Sequence, residues 1–253
     1  MNVLDELVAA ARERVKGLPN REPQQHPRGL SFGDALRGKD RLKVIAEFKQ
    51  ASPSAGSIAQ RDPAAQVKLY AEAGAAAVSV LTEPSRFGGS FDDLEKAVEA
   101  VQPEGIPILM KDFVVDTAQI RMAACLGARG VLLIARCLSN AQLKELASAC
   151  RGYGLGALVE CHDAEEVSRA LSLPDVVIGV NNRDLDTFEI RRDLALRLLR
   201  DLPADRVAVA ESGYLRPEDT LELRGVADAV LIGSALMKDS DPDAFIRGIL
   251  GAA

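Results

Sequence analysis

No apolar run in this 253-residue chain is long enough to cross a bilayer, and residues 1–7 lack the basic start and apolar centre of a secretory signal. A cytoplasmic protein with no membrane partner is expected. Cations are in deficit, with 31 Lys and Arg against 37 Asp and Glu and a formal net charge of −6. A nucleic-acid surface needs clustered Lys and Arg, so no nucleic-acid partner is expected and any bound anion should be small. Histidine is scarce. His26 and His162 offer neither a Ser-His-Asp arrangement nor metal-ligand spacing, and both read as surface residues. Cys125, Cys137, Cys150 and Cys161 form no Cys-x-x-Cys pair and read as reduced core thiols. Cys161 follows Glu160, but alternation along a strand turns its side chain away from that carboxylate, which argues against a nucleophile. No metal is expected, which leaves chemistry by Lys and Glu.

What the chain does have is 47% hydrophobic residues, gathered into runs rich in Val, Ile, Leu and Ala at 44–46, 77–81, 106–109, 131–134, 155–159, 176–180, 207–210 and 229–232. These resemble parallel strands buried on both faces. Amphipathic stretches lie between them at 63–73, 91–100, 117–126, 140–153, 164–171, 194–202 and 217–224. Several carry capping signals, such as Ser139-Asn140 before one and Gly74 or Gly127 after others. Eight strand-helix units imply a closed (β/α)8 TIM barrel. An open doubly wound sheet is the alternative, but no Gly-x-Gly-x-x-Gly turn follows the first run. Residues 4–16 carry an apolar stripe at helical spacing: Leu4, Leu7, Val8, Ala11 and Val15. The expected organisation is therefore an N-terminal helical extension, residues 1–43, packed on a barrel of residues 44–253, as one domain.

Barrel enzymes build their sites at the carboxyl ends of the strands. There the apolar runs lead into Glu47-Phe48-Lys49, Lys111-Asp112, Glu160, Asn181-Asn182-Arg183 and Glu211-Ser212-Gly213. Alternation puts Glu47 and Lys49 on one face, and likewise Asn181 and Arg183. Each pair alone could be a structural ion pair, and Lys111 alone could extend from the barrel rim to water. Two lysines and three glutamates in one mouth would instead perturb one another's ionisation, as acid and base catalysis requires. The turns Glu211-Ser212-Gly213-Tyr214 and Ile232-Gly233-Ser234-Ala235 follow the seventh and eighth runs, where barrels bind phosphate with backbone N–H groups. The loop 50–57, rich in small residues, reads as a mobile lid. Phe87, among polar residues and glycines, reads as a wall for an apolar or aromatic part of a substrate, with core packing as the alternative.

The strand ends, taken in order, resemble those of indole-3-glycerol-phosphate synthases. The resemblance rests on Ile45-Ala46-Glu47-Phe48-Lys49 with Ala51-Ser52-Pro53-Ser54, Leu81-Thr82-Glu83, Phe87-Gly88-Gly89-Ser90 and Leu109-Met110-Lys111-Asp112-Phe113. It continues through Leu158-Val159-Glu160, Gly179 to Leu185, Ala210-Glu211-Ser212-Gly213 and Ile232-Gly233-Ser234. It implies closure of 1-(2-carboxyphenylamino)-1-deoxyribulose 5-phosphate to an indole with loss of carbon dioxide and water, in tryptophan biosynthesis and without a cofactor. It further implies Lys111 as the acid for ring closure, with Glu160, Glu47 and Lys49 sharing the remaining proton transfers. Asn181, Arg183, Glu211 and Ser212 would position the substrate, and Phe87, Phe113 and Leu132 would surround its ring. Ser52, Gly213, Gly233 and Ser234 would hold phosphate. Phe48, where Ile or Val is common in the family, should point outward, and Ala55, where Lys is frequent, could loosen closure of the loop. The alternatives are a phosphosugar isomerase or aldolase on the same barrel, or a noncatalytic phosphometabolite-binding barrel. The expected partner is a small phosphorylated substrate, and the expected state a monomer or weak homo-oligomer.

Overall fold

The structure, a computed structural model, describes residues 3–23, 31–52, 56–58, 60–185 and 187–251. The strands are β1 Lys43–Phe48, β2 Ala77–Leu81, β3 Ile108–Lys111, β4 Gly130–Ile134, β5 Gly156–Cys161, β6 Val177–Asn181, β7 Ala208–Glu211 and β8 Ala229–Ile232. All pair in parallel with their sequence neighbours, and β1 pairs with both β2 and β8, closing a TIM barrel. Helices alternate with the strands, from Pro63–Glu72 to the closing pair Ser234–Lys238 and Pro242–Leu250. Local sequence sets their starts. Asp116 and Ser139 form reciprocal caps with Gln119 and Gln142, which satisfy amide groups that the first helical turn leaves unpaired.

Side-chain alternation divides the strands into two apolar layers. Val44, Ala46, Phe48, Val78, Met110, Val159, Cys161 and Val180 face the helices, whereas Ile45, Ala77, Leu109, Leu132, Leu158, Val177, Val209 and Leu231 fill the barrel. Phe48 thus points outward, into the helix layer. Continuing the interior set by two residues leads from Ile45 to Glu47, from Leu109 to Lys111, from Leu158 to Glu160 and from Val209 to Glu211. The carboxyl-end charges are the uppermost layer of the barrel's own interior.

The N-terminal segment touches both ends of the barrel. In α1, Val3–Val15, residues Leu4, Leu7 and Ala11 are buried. At the carboxyl end Arg14 sends Nη1 and Nη2 to Asp112, at 2.9 and 2.7 Å, and Glu6 pairs with Arg86 at 3.1 Å. At the amino end α2, Phe32–Leu36, is capped by Ser31 and inserts the fully buried Phe32 beneath the strands. A β-carbon on Gly130 or Gly156 would come within 2.9 Å of the Phe32 side chain, so these strands start with glycine where the plug needs room.

Several expectations need correction. The run 106–109 enters the ladder two residues later, as Ile108–Lys111, and β5, β6 and β7 likewise extend into Cys161, Asn181 and Glu211. Backbone pairing continues past the last apolar side chain, which marks core contact and not the end of the ladder. The segment 217–224 forms a 3-10 helix, Pro217–Leu223, in which the Thr220 hydroxyl donates to the Pro217 carbonyl at 2.7 Å. Such a local side-chain bond competes with regular helix. Of the cysteines, all free, Cys150 and Cys161 are buried while Cys125 and Cys137 are only partly so. His26 and Ala55 lie outside the described residues, as does the middle of the loop 50–57; its ends pair as Ala51–Ser52 against Gly56–Ser57. Among the described residues no helix is long and apolar enough to cross a membrane.

Candidate active site

A single cavity opens at the carboxyl ends of the strands. It is lined by Glu47, Lys49 and Ser52 from β1 and its loop, by Phe87 and Leu132, and by Lys111 and Phe113. Glu160, Asn181, Arg183, Glu211, Ser212, Gly213, Gly233 and Ser234 complete its wall. Every site residue expected from the sequence therefore borders this space.

Lys111 stands between two of its carboxylates. Its Nζ lies 3.8 Å from Oε2 of Glu47 and 3.7 Å from Oε2 of Glu160, while Lys49 Nζ lies 2.6 Å from Oε1 of Glu47. Burial alone would drive the carboxyls toward their neutral forms. For Glu47 the charges of Lys49 and Lys111 outweigh that penalty and lower its pKa. For Glu160 burial is outweighed by Lys111 and His162, and its pKa is held at about 2. Lys111 is itself desolvated, but Glu160, Glu47 and Glu211 raise its pKa and keep it an ammonium. Glu211 behaves oppositely. Burial first, then repulsion from Glu160, pushes its carboxyl well above the usual range, and its Oε1 has no hydrogen-bond partner. Burial and the neighbouring carboxylate thus favour the protonated form of Glu211, the opposite of their balance at Glu47 and Glu160.

Two glycines make room for these carboxylates. A β-carbon at Gly233 would lie 2.2 Å from Oε1 of Glu47, and one at Gly179 would lie 2.3 Å from Oε1 of Glu211. No real side chain tolerates such distances.

The rim of the mouth is built from turns. Ser212 and Gly213 follow β7 with φ of 64° and 91°, a left-handed stretch that glycine adopts without strain and serine does not. Asn182, fully buried, fixes it: its Nδ2 donates to the Ser212 carbonyl at 3.0 Å and to the Tyr214 hydroxyl at 3.1 Å. Ser52 is buried with an unpartnered hydroxyl, and Gly233 and Ser234 start the helix after β8. Arg183 is held by a bond from Nη1 to the Phe188 carbonyl at 3.2 Å, and its main-chain N–H donates to Asn181 Oδ1 at 3.0 Å. Phe87 is half-buried, its ring centroid 6.5 Å from that of Phe113, so the two rings form an apolar wall beside Lys111. Phe87 owes its position to Glu83, a lining residue whose role has no signal in the sequence pattern. The Glu83 carboxylate accepts from the backbone N–H of Ser85, Arg86 and Phe87.

The surface reading of His162 is wrong. The residue is 5% exposed, with Nε2 3.3 Å from Oε1 of Glu160 and Nδ1 3.3 Å from Oε2 of Glu166. The signal was present in the sequence, because the alternation that turns Cys161 away from Glu160 returns His162 to the Glu160 side.

The family described as indole-3-glycerol phosphate synthase matches residues 4–249. Curated proteins of that name from Polaromonas naphthalenivorans and a Nocardioides species are 39% and 42% identical, over 263 and 270 aligned residues. Each alignment covers 99% of this chain and 99% of the relative. Among solved structures, the tryptophan synthase subunit alpha of Legionella pneumophila superposes with a TM-score of 0.61 at 14% identity, covering 100% of this chain and 98% of that one. At that identity the likeness concerns the barrel alone.

Proposed function

The chain belongs to the indole-3-glycerol phosphate synthase family, and on that footing we propose that Lys111, Glu160, Glu47 and Lys49 carry out its reaction. The protein is a carboxy-lyase of tryptophan biosynthesis. It closes 1-(2-carboxyphenylamino)-1-deoxyribulose 5-phosphate to indole-3-glycerol phosphate, releasing carbon dioxide and water.

The ring carbon bearing the carboxylate forms a bond to the sugar's carbonyl carbon, and the carbonyl oxygen takes a proton. Lys111, an ammonium between two carboxylates of the cavity, is the donor. Its raised pKa does not prevent this, because the alkoxide formed is the conjugate base of a far weaker acid than any ammonium. Loss of carbon dioxide restores the aromatic ring. Dehydration then removes the new hydroxyl as water and takes a proton from the neighbouring carbon. Glu160 and Glu47, both kept ionised, are suited to accept that proton, while Lys49 and Lys111 can protonate the departing hydroxyl.

Asn181, Arg183, Glu211 and Ser212 position the substrate, with the planar fork of Arg183 suited to its carboxylate. Phe87, Phe113 and Leu132 enclose the aromatic ring. Ser52, Gly213, Gly233 and Ser234 hold the phosphate, with Lys49 supplying charge nearby. The working unit is one domain, residues 1–43 forming an extension on the barrel 44–253, acting in the cytosol as a monomer or weak homo-oligomer.

The observation that supports this reading best is Lys111 Nζ within 4 Å of both Glu47 and Glu160, beside an aromatic wall. Adding the carboxyphenylamino sugar phosphate to purified protein should produce indole fluorescence. Its absence with enzyme in excess would overturn the assignment.

A further inference from the structure

His162 is the second of only two histidines in the chain and lies beneath the mouth, between two carboxylates. Glu166, on the helix Ala164–Leu171, grips it twice: Oε2 accepts the His162 backbone N–H at 2.7 Å and lies 3.3 Å from Nδ1. The other oxygen of Glu166 accepts from Arg136 Nε at 3.0 Å. Arg136, in the turn Ala135–Cys137, lies within 4 Å of Asp163 and Asp184 as well. The row Glu160, His162, Glu166, Arg136, Asp163 thus alternates in sign from the mouth to a half-exposed carboxylate.

Nδ1 pairs with Glu166, while Nε2 is buried and makes no hydrogen bond but faces Oε1 of Glu160 at 3.3 Å, an ion-pair distance. A ring held between two carboxylates in this way is favoured in its doubly protonated, charged form. We propose that His162 is a positioning residue for Glu160: as an imidazolium anchored by Glu166, it aims the Glu160 carboxylate into the mouth and keeps it ionised when a substrate bearing two anionic groups enters. This rests on the reading of Glu160 as a catalytic residue.

The surroundings support the charged ring. Burial would lower the His162 pKa, but Glu160 and Glu166 outweigh it and raise it to about 9. Cys137, on the neighbouring turn, is a neutral thiol pushed up to about 12 by burial, and burial with repulsion from Glu160 raises the Glu211 carboxyl. Lys111, on the far side of Glu160, is an ammonium across the pH range of interest. His162 is therefore the group here whose charge changes near pH 9, and turnover should fall as the pH rises through that value.

The test is the pH profile of kcat and KM for the parent protein and for His162→Gln, together with NMR titration of the two histidine rings. The His26→Gln variant assigns the two signals. In the parent, the His162 ring should stay doubly protonated through pH 8, and kcat should decline above about pH 9. His162→Gln should lower kcat at pH 7.5 by roughly tenfold, as misplacement of the Glu160 carboxylate would, with KM changed less than about threefold, and should abolish the decline near pH 9. A His162 ring that is neutral at pH 7, or a His162→Gln profile that keeps the same alkaline limb, overturns the proposal. If His162→Gln does not fold, the ring titration of the parent decides alone. Glu160→Gln is measured alongside: normal turnover in that variant removes Glu160 from catalysis, whereas loss of turnover with an unchanged His162→Gln profile overturns only the role of His162.

Discussion

Oε2 of Glu160, the carboxylate oxygen 3.7 Å from the ammonium of Lys111, accepts no hydrogen bond although it is fully buried. A buried carboxylate oxygen without a donor is costly, and what offsets the cost here is charge and not hydrogen bonding. The mouth is thus arranged around carboxylates held mainly by neighbouring charge.

Removing the Lys111 cation tests that arrangement first. Lys111→Ala should lower turnover at least about a hundredfold, the contribution of one positioned general acid, while circular dichroism shows the fold intact. Near-normal indole formation would eliminate Lys111 as the proton donor.

Gly233→Ala asks whether the bare backbone beside Glu47 is needed. The added methyl would lie 2.2 Å from Oε1 of Glu47 and 3.0 Å from Nζ of Lys49, so the pair must move. The expected result is a loss of kcat/KM of at least about tenfold, since small misplacements of catalytic groups have large rate effects. Unchanged kinetics would show that the pair can shift harmlessly.

Glu211→Gln separates charge from shape. A carboxyl whose pKa is raised by folding binds its proton more tightly in the native state, so ionisation at higher pH works against folding. The parent's stability should therefore fall relative to Glu211→Gln as pH rises above the ordinary glutamate range. Below that range the two should converge. Urea denaturation at pH 4, 6 and 8 measures the gap, and a gap that shrinks with rising pH would mean that Glu211 is ionised in the native protein.

Arg14→Met probes the join between α1 and the third strand. It leaves Asp112 buried with the Thr82 hydroxyl and the Phe113 N–H as its remaining donors. Loss of a paired guanidinium that is itself part-exposed should cost about 1–3 kcal/mol. Urea denaturation reads this directly, and an unchanged midpoint would assign the pair no net contribution.

Much of the barrel was legible because parallel strands buried on both faces must be apolar on both, and eight such runs leave few topologies. The final strand residues were harder to read. Lys111, Asn181 and Glu211 look like loop in a hydropathy pattern, yet the backbone pairs through them because a polar mouth sits above an apolar interior. The site residues stood out because charged and amide side chains come directly after the apolar runs, at the end of the barrel where substrates bind. His162 was missed because a histidine after a strand is usually exposed; alternation already put it on the Glu160 side, and the approach of Glu166 completes its enclosure. Neither the Phe32 plug nor the bond from Arg14 to Asp112 had a local signature, since each joins distant parts of the chain.

The alternation that sends Glu160 inward and Cys161 outward lets neighbouring positions answer to different selective pressures. Substitutions at Phe48, Met110 or Cys161 are screened by how well they fill space against helices, and mild changes there can accumulate as near-neutral drift. One residue along, at Glu47, Lys111 or Glu160, nearly any change alters the charges that line the mouth. A mutational library that varies every second residue of these strands would sample new reactions or new stabilities, depending only on where it starts.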